Sequence, residues 1–469
     1  MPTPQGQTSR KLAWQVLNNL HGSGLTLDRV LDKALSGHAP LSRKDRALVH
    51  ALVFGVLRWQ GRLDWILSHF SKPRLKKIDP PVLNLLRLGI YQIIFLTRIP
   101  DAAAVNTAVD LAKTAHPPWV VKFINGVLRA AVRGHNDLVF PSAKSDPVAA
   151  LSVEKSFAPW LIRRWISRFG VTETAALCDA INGIPPITIR ANTLRTDRDR
   201  LATQLDGTAQ SVTLTPHAPD GIALMGPDRP VFEMEPFTRG DFGVQDEAAQ
   251  LVSYLAAPAP GQRILDACAG LGGKTGHLAQ LMANRGDLVA MDRSADKLFR
   301  LQTEMARLGV TCVTTRAHDL NVTADLPPFD RILLDAPCSG LGVLRRNPDG
   351  KWVRRPEDIS ACALRQQKLL SSLAGLVKTG GLLVFAVCSM EPEENEAVIE
   401  GFLKHRTAFV LEKAPQALPQ PARLLMTPEG YFRTTPHQHG MDGFFAAVLR
   451  RISDTPPAQP VSPTPFQSL

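Results

Sequence analysis

The stretch Gln262–His277, QRILDACAGLGGKTGH, restricts the possible folds more than any other part of the chain. Arg263–Ala267 reads as a short buried strand that carries Asp266 near its end. Gly270, Gly272, Gly273 and Gly276 follow in a turn almost bare of side chains, and a helical pattern begins at His277. Strand, glycine turn and helix in that order bring backbone N–H groups and a helix N-terminus against a bound cofactor. Three cofactor types stay open on this stretch alone. A phosphate loop GxxxxGK[ST] is met at Gly273-Lys274-Thr275, but Cys268 holds its first glycine position. A dinucleotide loop GxGxxG is met at Gly270 and Gly272, but Thr275 replaces the third glycine. An S-adenosylmethionine (SAM) loop needs an acid at the strand end and a glycine turn, and both are present.

From Gln262 onward strands and helices alternate. Strands are predicted at Arg263–Ala267, Leu288–Asp292, Val310–Arg316, Asp330–Asp335 and Gly381–Val387, with helices at His277–Asn284, Ala295–Leu308 and Pro356–Leu376. Two further strands, Phe409–Glu412 and Gly443–Leu449, flank a long loop. The pattern is that of a doubly wound, mostly parallel α/β sheet with an antiparallel edge. Asp292 ends the second strand about twenty residues beyond the glycine turn, where a carboxylate accepts hydrogen bonds from ribose hydroxyls. That acid favours an adenosine cofactor over a phosphate loop. Asp319, after the third strand, either meets an adenine edge or serves as a loop or cap residue.

The rest of the chain divides by charge. Residues 1–135 hold nineteen Lys/Arg, seven Asp and no Glu, whereas the whole chain of 469 residues has a net charge of only +11. The entire basic excess therefore sits on this N-terminal region, as expected of a polyanion-binding module joined to a near-neutral domain. Leu12, Val16 and Leu20, then Leu48, Leu52 and Val56, then Leu83, Leu86, Ile90 and Ile94 keep helical spacing. Prolines at Pro40, Pro80-Pro81 and Pro117-Pro118 supply the breaks, so an all-α bundle is predicted. Trp59 and Trp65 are expected to pack in its core. The expected order is an all-α domain over 1–135, a linker over 136–150 and an intermediate connecting region over 151–245. A catalytic domain over 246–452 and a disordered tail over 453–469 complete it. Six scattered cysteines without a CxxC give no disulfide framework and no zinc site. With no signal-type or spanning apolar run, a cytoplasmic protein with free thiols is expected.

Two of those thiols carry the chemistry. The fourth strand runs into Asp335-Ala336-Pro337-Cys338-Ser339, and the fifth into Val387-Cys388-Ser389. The C-terminal edge of an open α/β sheet is where ligands bind. A thiolate there can add to C6 of a pyrimidine and make C5 nucleophilic enough to take a methyl group. This is covalent catalysis that divides one hard step into two.

Together ILDACAGLGGKT, Asp292, DAPCSGLGVLRRNPD and FAVCSMEPEENE resemble the RNA cytosine-C5 methyltransferase family (Nol1/Nop2/Sun). The N-terminal region, with FINGVLR at Phe123–Arg129, is similar to the NusB RNA-binding fold. The pair resembles the bacterial Sun/Fmu branch, whose target is cytosine 967 of 16S rRNA. This resemblance implies a Rossmann-like SAM-dependent sheet behind a NusB-like bundle, acting in the cytoplasm as a monomer on 16S rRNA before full subunit assembly. It implies Cys388 as nucleophile, Cys338 as the residue assisting release, and Asp335 as a partner of the target base. It implies Cys268, Ala269, Gly270, Leu271, Gly272, Gly273, Lys274, Asp292, Asp319 and Asp335 around SAM, with no metal and no membrane or protein partner. Arg190–Asn192 and Gln245-Asp246 match the segment joining RNA binding to the sheet, and Gly443-Phe444-Phe445 the final hairpin. The chain departs from the family at Gly270 (usually alanine), Leu271 (usually proline) and Val387 (commonly threonine), so a somewhat different loop path is expected. Two alternatives remain at this stage: Cys338 as the nucleophile, and a non-catalytic RNA-binding factor.

Removing residues 1–135 should weaken RNA binding and flatten its salt dependence, because the phosphate-neutralising cations go with them. Filter binding across a salt series checks this, and an unchanged slope would mean that the charge asymmetry has no bearing on RNA.

Overall fold

The computed structural model describes residues 5–20, 25–37, 41–320 and 326–453. Pro40 and the expected tail beyond residue 453 lie outside the described residues. The chain forms two compact units, Met1–Gly183 with Leu344–Val353, and Ile184–Val343 with Arg354–Leu469.

The first unit is helical. Its helices are Gln5–Leu20, Leu27–Ser36, Arg43–Phe70, Pro80–Phe95, Asp101–Ala115, Pro118–Gly134, Pro147–Glu154 and Pro159–Asn182. Three prolines expected to break helices, Pro80, Pro81 and Pro118, occupy first turns, where a missing N–H leaves no bond unmade. Ser42 caps the longest helix by accepting the Asp45 N–H at 3.2 Å. Leu12, Val16, Leu52, Val56, Leu86 and Ile90 share one core. Trp59 stacks on Phe95 and Trp65 on Phe140, both packed against that core.

This unit continues past the expected linker. Pro147–Glu154 is a helix, and Leu151, Phe157, Leu161 and Trp165 are buried. Ser156 Oγ accepts the Gly61 N–H at 2.9 Å, fixing the segment to the bundle. The unit is completed by Leu344–Val353. There Lys351 is fully buried and its Nζ donates to Arg58 O (3.1 Å), Ser156 O (3.3 Å) and Asn182 Oδ1 (2.5 Å). Its ammonium lies 3.7 Å from the centroid of the Phe157 ring. Trp352 Nε1 donates to Leu57 O at 2.6 Å. Local periodicity carries no sign of these contacts, since Lys351 and Arg58 stand 293 positions apart.

The second unit holds two sheets. β1 (Ile187–Ala191), β2 (Ala209–Leu214), β3 (Gly221–Pro227) and β4 (Phe242–Val244) form an antiparallel sheet in the order β2-β3-β1-β4. The helix Arg198–Leu205 covers it through Leu201 and Leu205, which are buried with Ile189, Ile222, Leu224 and Phe242. Sequence patterning finds β1 and this helix but does not define the sheet.

The larger sheet comprises β5 (Arg263–Asp266), β6 (Asp287–Asp292), β7 (Val313–Ala317), β8 (Phe329–Asp335), β9 (Val377–Val387), β10 (Phe409–Leu411), β11 (Phe432–Thr434) and β12 (Phe444–Arg451). Its order is β10-β12-β9-β8-β5-β6-β7, with β11 paired to β12. Strands β5 to β9 are parallel, and β12 is antiparallel to β9, β10 and β11. This is the doubly wound sheet with an antiparallel edge that the sequence predicted. Apolar clusters lie on both faces, as a parallel sheet requires. The chain winds from β5 outward to β7, then returns to place β8 on the other side of β5. That reversal opens a crevice at the C-terminal ends of β5 and β8. No helix among the described residues is long and apolar enough to cross a membrane.

Replacing Lys351 by Ala removes a buried apolar stem and leaves buried acceptors without their donor. A loss of about 3 kcal/mol is expected, read as a lower unfolding transition of the helical unit. An unchanged transition would show that Leu344–Val353 adds no stability to that unit.

Candidate active site

The crevice is a cleft of about 380 Å³ lined by Cys268, Gly270, Asp292, Asp319, Asp335, Cys338 and Cys388 among others. The glycine stretch builds one wall. Gly272 N–H donates to Ala269 O at 2.9 Å and closes a tight turn in which Gly270 adopts φ +57°. Gly272, at φ +90°, precedes the helix Gly273–Leu281, and a Cβ there would lie 2.7 Å from Leu301 Cγ. Only glycine meets both demands. Leu271 at the tip is half exposed. Asp292 Oδ2 accepts the Gly270 N–H at 3.2 Å, and its Oδ1 accepts the Ser294 N–H at 2.8 Å. The acid after β6 is thereby fixed against the loop.

The two cysteine motifs meet at the opposite wall. Strands β8 and β9 run parallel with Asp335 opposite Ala386, so the residues following each strand emerge side by side. Cys338 Sγ and Cys388 Sγ lie 3.1 Å apart, both as free thiols. Gly342 N–H donates to Cys388 O at 3.0 Å, and a Cβ on Gly342 would lie 1.9 Å from Gly443 O. The final hairpin thus presses against the cysteine loops at a point where no side chain fits. The hydrogen bond with Cys388, then burial, then the nearby Cys388 and Glu394 charges push the Cys338 thiol well above its ordinary range. Lys274 donates to Asp335 Oδ2 at 2.6 Å. Burial opposes the lysine's charge, but Asp335, assisted by Cys388, holds its pKa above the ordinary value.

Among the residues expected around a cofactor, Cys268, Gly270, Asp292, Asp319 and Asp335 line the cleft. Ala269 and Gly272 act through the backbone of the turn, Gly273 starts the helix, and Lys274 reaches Asp335. Arg293, Lys297 and Arg365 also line the cleft. Sequence reasoning passed over them because cations on a helical pattern look like a solvated face. Arg190 is buried, donating to Gln280 Oε1 at 2.7 Å and to Gly273 O at 3.0 Å. Asn192 Nδ2 donates to Gly240 O and Leu308 O, both at 2.8 Å. Arg190 thus ties β1 to the base of the glycine loop, and Asn192 ties the chain just after β1 to Gly240 and to the end of the helix Ala295–Leu308.

A parallel sheet with a glycine loop at its switch point, an acid after the next strand and an antiparallel last pair is the methyltransferase fold. The crystal structure of PH0851 superposes on it with a TM-score of 0.79 and 26% identity, over 96% of this chain and 100% of that one. NSun6 from Pyrococcus horikoshii shares the fold over 64% of this chain and 100% of its own, with a TM-score of 0.56 and 23% identity. Residues 253–450 match the family 16S rRNA methyltransferase RsmB/F, residues 7–133 the NusB family, and residues 157–231 the RsmF/B-like ferredoxin-like domain. The probable ribosomal RNA small subunit methyltransferase B of Synechocystis sp. is 36% identical over 451 residues, 95% of this chain and 99% of that protein. The ribosomal RNA small subunit methyltransferase B of Pseudomonas putida is 37% identical over 92% of this chain and 98% of its own. The chain belongs to the RsmB/F family of 16S rRNA methyltransferases.

Asp266, at the end of β5, is fully buried and receives Thr275 Oγ1 at 2.7 Å. Its Oδ1 has no hydrogen-bond partner among the described residues. Burial, against the Thr275 hydrogen bond, pushes its pKa up to about 7. The folded state then holds a proton that the unfolded chain releases near pH 4, so stability falls as pH rises from about 4 to about 7. Asp266→Asn should flatten that slope in calorimetric scans, whereas an unaltered slope would place the titration elsewhere.

Proposed function

We propose that this enzyme methylates C5 of a cytosine in 16S rRNA, of the C967 type, with SAM as methyl donor and a Cys388–C6 bond as intermediate. The observation that carries the reading is the pair of free thiols 3.1 Å apart at the cleft wall, beside the Lys274–Asp335 pair. The residues present suit SAM. Asp292, Asp319 and Asp335 line one cleft, matching hydroxyl and amino donors and a cationic sulfonium. The glycine turn leaves room for an adenosine against backbone. When bound there, SAM supplies the electrophilic methyl group.

The protein's own groups do the rest. Lys274, paired with Asp335, brings positive charge to the cleft wall, and the Cys388 sulfur is the group that adds to C6. Asp335, at the end of β8, is the group for the polar edge of the target base. Methylation leaves a proton at C5; a base in the cleft takes that proton, the C5–C6 double bond re-forms, and the C6–S bond breaks with its electron pair leaving on the Cys388 sulfur. Cys338 assists that release by offering its S–H to the departing sulfur. The target base must leave its stack to reach this cleft. The swapped assignment is disfavoured because the motifs enclosing the two cysteines and the basic helical unit resemble the RNA branch of these enzymes. The homologous small-subunit methyltransferases support 16S rRNA as substrate, and the basic helical unit supports RNA binding.

Cys388→Ala should abolish 5-methylcytosine formation on unmodified rRNA, scored by bisulfite sequencing. Cys338→Ala should accumulate a covalent protein–RNA adduct resolved by denaturing electrophoresis. An adduct that builds up only when Cys388 is the residue changed would reverse the two roles.

A further inference from the structure

The helix Pro118–Gly134 buries Val120, Ile124, Val127, Leu128 and Ala131 in the bundle core. Its opposite side carries Trp119, Lys122, Gly126, Arg129 and Arg133, at alternating steps of three and four residues. Such spacing puts them on one face, in a row about 21 Å long. All five are exposed, and Trp119, at 70%, is open to solvent as no core tryptophan is. The helix contains no Asp or Glu, so its three cations form a stripe of one sign. Arg129 is steadied along the helix by donating from Nε to Asn125 Oδ1 at 2.9 Å. Gly126, within FINGVLR, is the anomaly. Glycine weakens a helix interior and usually answers a demand for close approach there. At Gly89 that demand is visible, because a Cβ would lie 2.7 Å from Leu128 Cδ1. At Gly126 nothing lies within 4 Å of the Cβ position. Among the described residues, no packing contact accounts for it.

We infer that this face is a docking track for the sugar–phosphate backbone of the substrate RNA. Lys122, Arg129 and Arg133 neutralise phosphates along the strand. The missing side chain at Gly126 lets the strand lie close against the helix between them. Trp119 offers its ring at one end as a platform for an unpaired base. A polyanion that also carries flat bases uses the cations and the ring together, which an acidic protein segment does not. The inference rests on RNA as substrate, but not on which atom is methylated or on either cysteine.

The test is filter binding of the full-length protein to unmodified 16S rRNA transcribed in vitro, across a salt series and without SAM. Gly126→Gln replaces glycine by a good helix former, so the unfolding transition should hold or rise. RNA binding should nevertheless weaken by about tenfold, because the strand is lifted off the neighbouring cations. Changing Lys122, Arg129 and Arg133 together to Gln should flatten the slope of log affinity against log salt by about two. Lys72, Arg74 and Lys76 are exposed cations elsewhere on the same unit. Changing those three to Gln removes equal charge and should alter the slope by less than about half as much. Trp119→Ala should weaken binding about fivefold or more at every salt concentration while keeping the slope. Equal slope changes in the two triple variants would overturn the placement. So would full RNA affinity in a folded Gly126→Gln, the result expected of a face that meets a protein. If the unsubstituted protein binds no rRNA, the reading of RNA as substrate falls with it, so the two failures are distinguishable.

Discussion

The site depends on two parallel strands that end level with each other. Because Asp335 of β8 lies opposite Ala386 of β9, the chain leaves both strands at the same edge, and Cys338 and Cys388 meet within a few residues. Slipping that register would reverse the faces of every side chain beyond it. The register is held from outside by the antiparallel β12 along β9 and by the close backbone approach at Gly342 and Gly443. The thiol contact is thus a consequence of sheet pairing, with the two cysteines carried just past the strand ends.

Charged side chains then brace the two loops: Lys274 pairs with Asp335, and the buried Glu394 binds the serine after each cysteine. Away from water such electrostatic interactions are much larger than on the surface. Around the cleft, carboxylates at the ends of three strands or just past them suit a ligand rich in donors and carrying positive charge. The Asp266 carboxyl, deeper at the end of β5, is held by Thr275 and strained by burial.

Much of the catalytic unit was legible in the chain, and for identifiable reasons. Short continuous apolar runs such as Ile332–Leu334 and Leu383–Val387, as expected of strands buried on both faces, gave the strands. The glycine loop and the distance to Asp292 pointed to residues that the structure places along one cleft. Glu394 was visible only as one acid in EPEENE, because nothing in local spacing shows that it turns inward. Arg190 and Asn192 were readable as a connection, but their partners at Gly273 and Leu308 lie far along the chain. The compact units divide at Gly183–Ile184, which local pattern does not mark, for a similar reason. Polar, proline-bearing residues 136–150 look like a linker, yet the helices after them are buried in the first unit.

The sequence by itself determined the element types, the basic N-terminal bundle and the two cysteine motifs, since these are properties of local pattern and composition. Its glycines at 270 and 272 also required an unusual turn, whose left-handed angles the structure displays. Only the tertiary structure decided that the two thiols touch, that one buried carboxylate binds the serine beside each, and that Leu344–Val353 completes the helical unit. Apart from the Glu394–Ser389 bond, which spans five positions, those facts rest on contacts between residues from about fifty to nearly three hundred positions apart. Such contacts leave no trace in local periodicity, because they are fixed by how strands pair and how burial selects partners for polar groups.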